Sequence, residues 1–141
     1  MGETVELDAR RITALPANHV VPAVGFQIDS GKGSLVFSGD TTTNEPFWEI
    51  VNRIDNLRYL IIETAFSNAD HELAVLSKHY CPTLLAEDLR RLKSQPEIYI
   101  THLKPSEADL IMEEVGRCVP GLMPKMLKMS RCSNFEVGKL R

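Results

Sequence analysis

The sequence predicts an α/β domain, a mixed sheet with helices on one face. Three observations carry that expectation. Apolar runs of strand length end in turn residues or in polar, titratable ones. Segments with helical spacing separate the later runs, and strands joined through a helix lie parallel. The opening third has hairpin signals in place of helices, which adds antiparallel neighbours. No repeat, low-complexity tract or Pro/Gly-rich linker divides the 141 residues, so a single unit spanning residues 1–141 is expected.

Residues 4 to 14 alternate apolar and polar, as one half-buried strand does. Val24 to Ile28, followed by Asp29-Ser30-Gly31-Lys32-Gly33, reads as a hairpin into Ser34 to Ser38. Thr43 or Asn44 can cap a helix reaching about Ile54, with Pro46 tolerated in its first turn and Phe47, Ile50, Val51 and Ile54 on one face. Leu57 to Thr64 is a buried strand. Pro82 to Lys93 has helical spacing at Leu84, Leu85, Leu89 and Leu92. Glu97 to Thr101 is another buried strand, and Ser106 to Gly116 opens on Ser-x-x-Asp and stops at glycine. In the tail, Met126, Leu127 and Met129 precede Ser133-Asn134 and then Phe135 and Val137, a weak hairpin pattern. Trp48 reads as helix packing, and Met123, Met126 and Met129 as core filler.

A hydrophobic fraction of 43% is enough for a core, and 16 basic against 19 acidic residues leave a net charge of −3. That balance gives no broad electropositive field, so no duplex nucleic acid partner is expected. The three cysteines, Cys81, Cys118 and Cys132, form no C-x-x-C pair and no disulfide framework, which fits a reducing, cytoplasmic setting. The chain opens without the basic and apolar regions of a secretory signal, and no apolar run has spanning length, so no membrane partner is expected.

Three strands run straight into titratable residues: Leu35 to Phe37 into Ser38-Gly39-Asp40, Leu60 to Ile62 into Glu63, and Ile98 to Thr101 into His102. Strand ends at one sheet edge can converge on a site. His19 sits in an apolar loop between two strands, and His79 just before a helix. Neutral imidazoles with a carboxylate make a ligand set suited to zinc or manganese. Each residue also has a plainer reading. A lone histidine in an apolar segment is often a hydrogen-bonded core residue, and Asp40 after Ser-Gly can be a turn residue bonding its own backbone. Glu63, if buried, needs a partner such as His79. Cys81 near His79 raises a thiol nucleophile, but no third orienting group supports it.

Four segments resemble the metallo-β-lactamase superfamily. Asn18-His19 through Val24-Gly25-Phe26 is similar to a strand-loop histidine preceding a Gly-aromatic pair, and Phe37-Ser38-Gly39-Asp40-Thr41 to the (Y/F)-S-G-D-T strand end. Ile62-Glu63-Thr64-Ala65-Phe66 with Ser77-Lys78-His79, and then Ile100-Thr101-His102-Leu103-Lys104-Pro105, most resemble class II cyclic-nucleotide phosphodiesterases and, more distantly, transfer-RNA 3′-processing endonucleases. The signature H-x-H-x-D-H is absent. The resemblance therefore implies the C-terminal half of an αββα sandwich, without the N-terminal half that carries that motif.

The resemblance also implies roles. His19 would ligate one metal, His102 a second, and Asp40 would bridge two zinc or manganese ions, of which this chain holds at most a partial site. His79 would donate a proton to the leaving oxygen with Glu63 orienting it, so that His79, Glu63 and Asp40 carry the catalysis. Lys104 and Thr41 would meet substrate, a small phosphodiester with a cyclic nucleotide favoured. On this expectation the chain alone is inactive. The alternative is a non-catalytic metal-binding or interaction module. Half a sandwich leaves one sheet face bare, so a homodimer or a partner chain is expected to cover it.

Overall fold

The structure, a computed structural model, describes residues 2–128. Seven strands form one sheet whose spatial order is the chain order: β1 (Thr4–Leu7), β2 (Arg10–Pro16), β3 (Val24–Asp29), β4 (Ser34–Phe37), β5 (Leu57–Glu63), β6 (Glu97–Thr101) and β7 (Lys125–Met126). The first four pair antiparallel, and β4 to β7 pair parallel. Helices α1 (Glu45–Val51), α2 (His71–Ser77), α3 (Pro82–Leu89) and α4 (Ala108–Cys118) lie in the parallel crossovers. This is the mixed α/β sheet that the sequence predicts.

The core forms where α1, α3 and α4 cover one sheet face. Phe47, Trp48 and Val51 of α1, Leu85 and Leu89 of α3, and Ile111 and Val115 of α4 join Val36, Leu60, Ile62, Ile98 and Ile100 in one buried cluster. Asn44 caps α1 as expected, its side-chain oxygen accepting from the Phe47 amide at 3.3 Å.

The register divides the sheet into two unlike faces. On the helix side one row of paired residues runs Thr4, Thr13, Gln27, Val36, Leu60, Ile98, polar across β1 to β3 and apolar from β4 onward, where the helices begin. On the other side the rows Val5, Ile12, Ile28, Leu35, Tyr59 and Ala14, Phe26, Phe37, Ile61, Tyr99 are apolar or aromatic until they reach Glu97 of β6 and Lys125 of β7. Nothing within the described residues covers their outer part: Val5 is 56% exposed, and Phe26 and Phe37 are 38% and 37% exposed.

Several sequence expectations are corrected. Residues 4 to 14 are two exposed-to-half-buried strands, not one, joined by Asp8 and Ala9 with φ of 49° and 63°. A two-residue hairpin turn with both φ positive matches the twist of the flanking strands, and the apolar alternation changes phase across it. The helix expected to Ile54 ends at Val51, and the one expected to Lys93 ends at Leu89. In both cases the backbone continues in tighter turns, with Arg53 bonding Ile50, Ile54 bonding Val51, and Leu92 bonding Leu89. Ser106 does not cap α4; it lies in a 3-10 turn, Pro105–Glu107, that precedes it.

Helix α2 was not legible, because only its Ala74 is buried while Leu73, Val75 and Leu76 face outward and no apolar stripe forms. Met123, expected in the core, is 76% exposed with φ of 46°. Lys125–Met126 adds a parallel strand beside β6; the rest of the expected tail hairpin, with Met129, and Cys132, lies outside the described residues. Among the described residues no helix is long and apolar enough to cross a membrane, and Cys81 and Cys118 are free thiols.

Candidate active site

The C-terminal ends of β2, β4, β5 and β6 lie on one sheet edge, because β2 is antiparallel to β3, which is antiparallel to β4, and β4 to β6 run parallel. The segments leaving those ends carry His19, Asp40, Glu63 and His102, while His79 follows α2. The rings of His19 and His79 are 4.8 Å apart, and those of His79 and His102 stack at 5.1 Å. Asp40 Oδ1 lies 3.8 Å from His102 Nδ1. The expected residues therefore gather in one cluster.

Local backbone makes this possible. Gly39 has φ of 63°, and a Cβ there would stand 2.4 Å from the Val24 carbonyl oxygen; at Gly25 it would stand 2.6 Å from that of Phe37. Only glycine at these two positions lets the exit of β4 press against β3. His102 itself has φ of 61°. A side chain in the left-handed region costs about 1–2 kcal/mol, and here it turns the chain sharply where β6 ends. The His19 loop is pinned to the Asp40 loop: the Asn18 amide donates to Thr41 Oγ1 at 2.9 Å, its side-chain amide to the Thr43 carbonyl at 2.8 Å, and the Thr42 amide donates back to the Asn18 carbonyl at 3.1 Å.

Glu63 is 1% exposed. Its carboxylate accepts from His79 Nδ1 at 2.6 Å, the Thr41 amide at 2.9 Å and the Tyr80 amide at 3.2 Å, so its charge is fully engaged. The hydrogen bond to Glu63 holds the His79 imidazole above its ordinary range; burial opposes this, and the charges of Glu63 and Asp40 reinforce it. His19 Nδ1 faces the Lys78 carbonyl at 3.1 Å. A carbonyl only accepts, so that bond assigns the proton of neutral His19 to Nδ1 and leaves the lone pair on Nε2. Lys78 presents its carbonyl from a left-handed cap, φ 54°, that ends α2.

No family model matches the sequence, and no curated protein matches it. Solved structures match its shape. The metallo-β-lactamase fold protein YhfI from Bacillus subtilis superposes with a TM-score of 0.75 at 18% identity, covering 92% of this chain and 51% of that one. The chain carries the metallo-β-lactamase fold. Unliganded yeast PDE1 shares it with a TM-score of 0.70 at 15% identity over 89% of this chain and 46% of its own, and human tRNase Z, short form, with 0.60 at 17% over 73% and 39%. The chain thus spans about half the length of these proteins or less. Metal is recorded on the same fold elsewhere: PqqB from Methylobacterium extorquens is zinc-bound, and CmlA from Streptomyces venezuelae is a diiron β-hydroxylase.

Against that metallo-β-lactamase frame, the donors here are of the right chemistry and too few. His19, Asp40 and His102 offer imidazole nitrogen and carboxylate oxygen, which suit zinc or manganese. Yet among the described residues no group of three or more His, Cys, Asp or Glu side chains is placed to hold a metal ion. A dinuclear centre does not fit the described residues alone.

The two expected substrate contacts are otherwise occupied. Thr41 is 1% exposed and its hydroxyl donates to the Thr42 carbonyl, so it shapes the site from within. Lys104 Nζ lies 3.5 Å from both Asp70 and Glu107. Cys81 is buried, its sulfur 3.4 Å from the Thr83 hydroxyl. Three residues that the sequence reading quoted within motifs but gave no role contribute here: Asn18, which clamps the loops; Phe66, whose ring meets His79 edge-on at 5.8 Å; and Ser38, whose hydroxyl accepts from the Glu63 amide at 3.1 Å. Asn18 and Ser38 stand one and two residues from His19 and Asp40, a proximity that could have flagged them.

Proposed function

We propose that this chain is the C-terminal part of a metal-dependent hydrolase of phosphodiesters, with a cyclic nucleotide as the favoured substrate, and that it is inactive by itself. The observation that carries the reading is the His79–Glu63 pair set between the rings of His19 and His102, with Asp40 beside them. A histidine whose Nδ1–H donates to a buried carboxylate carries a proton on Nε2 for a leaving oxygen only as the imidazolium, the form that the hydrogen bond to Glu63 favours. Phe66 narrows the freedom of the ring on one side. His19, Asp40 and His102 furnish part of a donor set whose remainder, in this reading, comes from an H-x-H-x-D-H segment that this sequence does not contain.

The second reading is a metal-binding or interaction module without catalysis. It is favoured by the incomplete donor set and by the bare apolar sheet face. Metal analysis of the purified chain after zinc or manganese loading separates the two from an inert fold: retention that is lost in His19→Ala and in His102→Ala marks a remnant site, and a chain that takes up no metal sinks it. Joined to a segment bearing H-x-H-x-D-H, the chain is expected to hydrolyse bis-p-nitrophenyl phosphate and a cyclic nucleotide, with His79→Ala lowering turnover about 10²-fold or more. Metal uptake without any hydrolysis in that joined form favours the module.

A further inference from the structure

One buried carboxylate stands behind the site and takes no part in the chemistry just described. Asp88 of α3 is 2% exposed, and its Oδ2 accepts from Tyr80 Oη at 2.6 Å, Trp48 Nε1 at 3.1 Å and the Asn44 amide at 3.2 Å. Arg91 Nε lies 3.6 Å from the other oxygen. Its helix neighbours Leu85 and Leu89 belong to the apolar core, so the carboxylate is buried among them and is offset by the donors that converge on it.

We propose that Asp88 is a positioning residue that holds both walls of the site, fixing the Glu63–His79 pair through Tyr80 and the His19 loop through Asn44.

The first arm runs through Tyr80. Its hydroxyl is anchored on Asp88, its amide donates to Glu63 Oε2 at 3.2 Å, and its carbonyl accepts the amides of Ala65 and Phe66 at 3.1 and 3.4 Å. The segment between His79 and α3 is therefore clamped at three points. Burial, with the Asp88 carboxylate reinforcing it, pushes the Tyr80 hydroxyl far above its usual range, so it stays a donor at every working pH. The second arm runs through Asn44. Its amide rests on Asp88, while its side chain donates to the Pro16 carbonyl at 2.8 Å and reaches Thr41 Oγ1 at 3.4 Å, the same hydroxyl that accepts the Asn18 amide next to His19. The arms meet again at Glu63, where the Thr41 and Tyr80 amides both arrive. Removing the hub is expected to loosen both the Tyr80 segment, which follows His79 directly, and the loop that carries His19.

The inference rests on the proposed site, but its test reads ring geometry and not turnover, so a chain that hydrolyses nothing still decides it. The full chain, labelled with ¹⁵N-histidine, is compared as wild type, Asp88→Asn and Tyr80→Phe by long-range ¹H–¹⁵N correlation, at a temperature where circular dichroism shows each folded. Signals are assigned through His79→Gln and His19→Gln. The His79 Nδ1 proton, held by Glu63 in the wild type, is expected to exchange about tenfold faster or more in both variants. The His19 ring signals should move in Asp88→Asn and stay put in Tyr80→Phe, which cuts one arm only. An Asp88→Asn chain that melts earlier yet keeps both ring signatures overturns the proposal, because the carboxylate would then serve stability alone. If Asp88→Asn does not fold, Tyr80→Phe decides, and unchanged His79 exchange overturns it equally.

Discussion

Glu63 and Asp29 show two ways in which a carboxylate is kept inside this fold. Glu63 ends an apolar strand and is surrounded by three donors from two distant segments, so its neighbours were invisible in its own sequence window. What was legible there is that a buried acid needs a partner and that His79 is one. Asp29 closes β3 with one local donor, the Gly31 amide at 2.8 Å, and two distant ones, Asn56 Nδ2 at 3.0 Å and Arg11 at 2.9 Å. These bonds, the Gly31 amide foremost, hold its carboxyl below the ordinary value of 3.8 despite burial. A depressed native-state pKa contributes stability that is whole above 3.8 and disappears as pH falls through the native value. Urea unfolding of wild type and Asp29→Asn should therefore show a gap in stability that is widest near neutrality and narrows as pH falls below 3.8. A gap of constant size across that range would refute the assignment.

At the scale of elements, strands with an uninterrupted apolar run and helices with a capping residue were readable, and their ends were not. α1 and α3 stop early because tight turns take over the last residues, a choice made by packing partners far along the chain: Asn52, just past α1, bonds the backbone of Arg91 and Lys93 beyond α3. The β1–β2 turn was missed because Ala9 is a poor advertisement for a positive φ. Its position asks for glycine, since type I′ turns require φ above zero at both central residues. Ala9→Gly is expected to stabilise the protein by about 1 kcal/mol through relief of left-handed strain, partly offset by the added freedom of the unfolded chain. The shift is read as a higher urea midpoint with unchanged slope, and a lower midpoint would contradict the turn geometry.

The whole molecule has one finished layer and one unfinished one. Helices seal the inner side of β4 to β6, while the opposite side keeps Phe26, Ile28 and Phe37 partly in water together with Val5 and Leu7. The composition said only that there was enough apolar material for a core; which face it lined depended on register, and the resemblance to half of a sandwich supplied that expectation. The isolated chain is expected to self-associate through this face, giving a mass above one chain by light scattering. Phe26→Lys with Phe37→Glu should return it toward monomer while leaving circular dichroism unchanged; a wild-type monomer at high concentration would rule the association out. The sheet has a further property in its ordering. Each strand lies beside the one made just before it, with no later arrival wedged between earlier neighbours. Pairing in chain order lets each described strand dock on an edge already formed as the polypeptide leaves the ribosome, the long helical crossovers after β4, β5 and β6 being the slow closures.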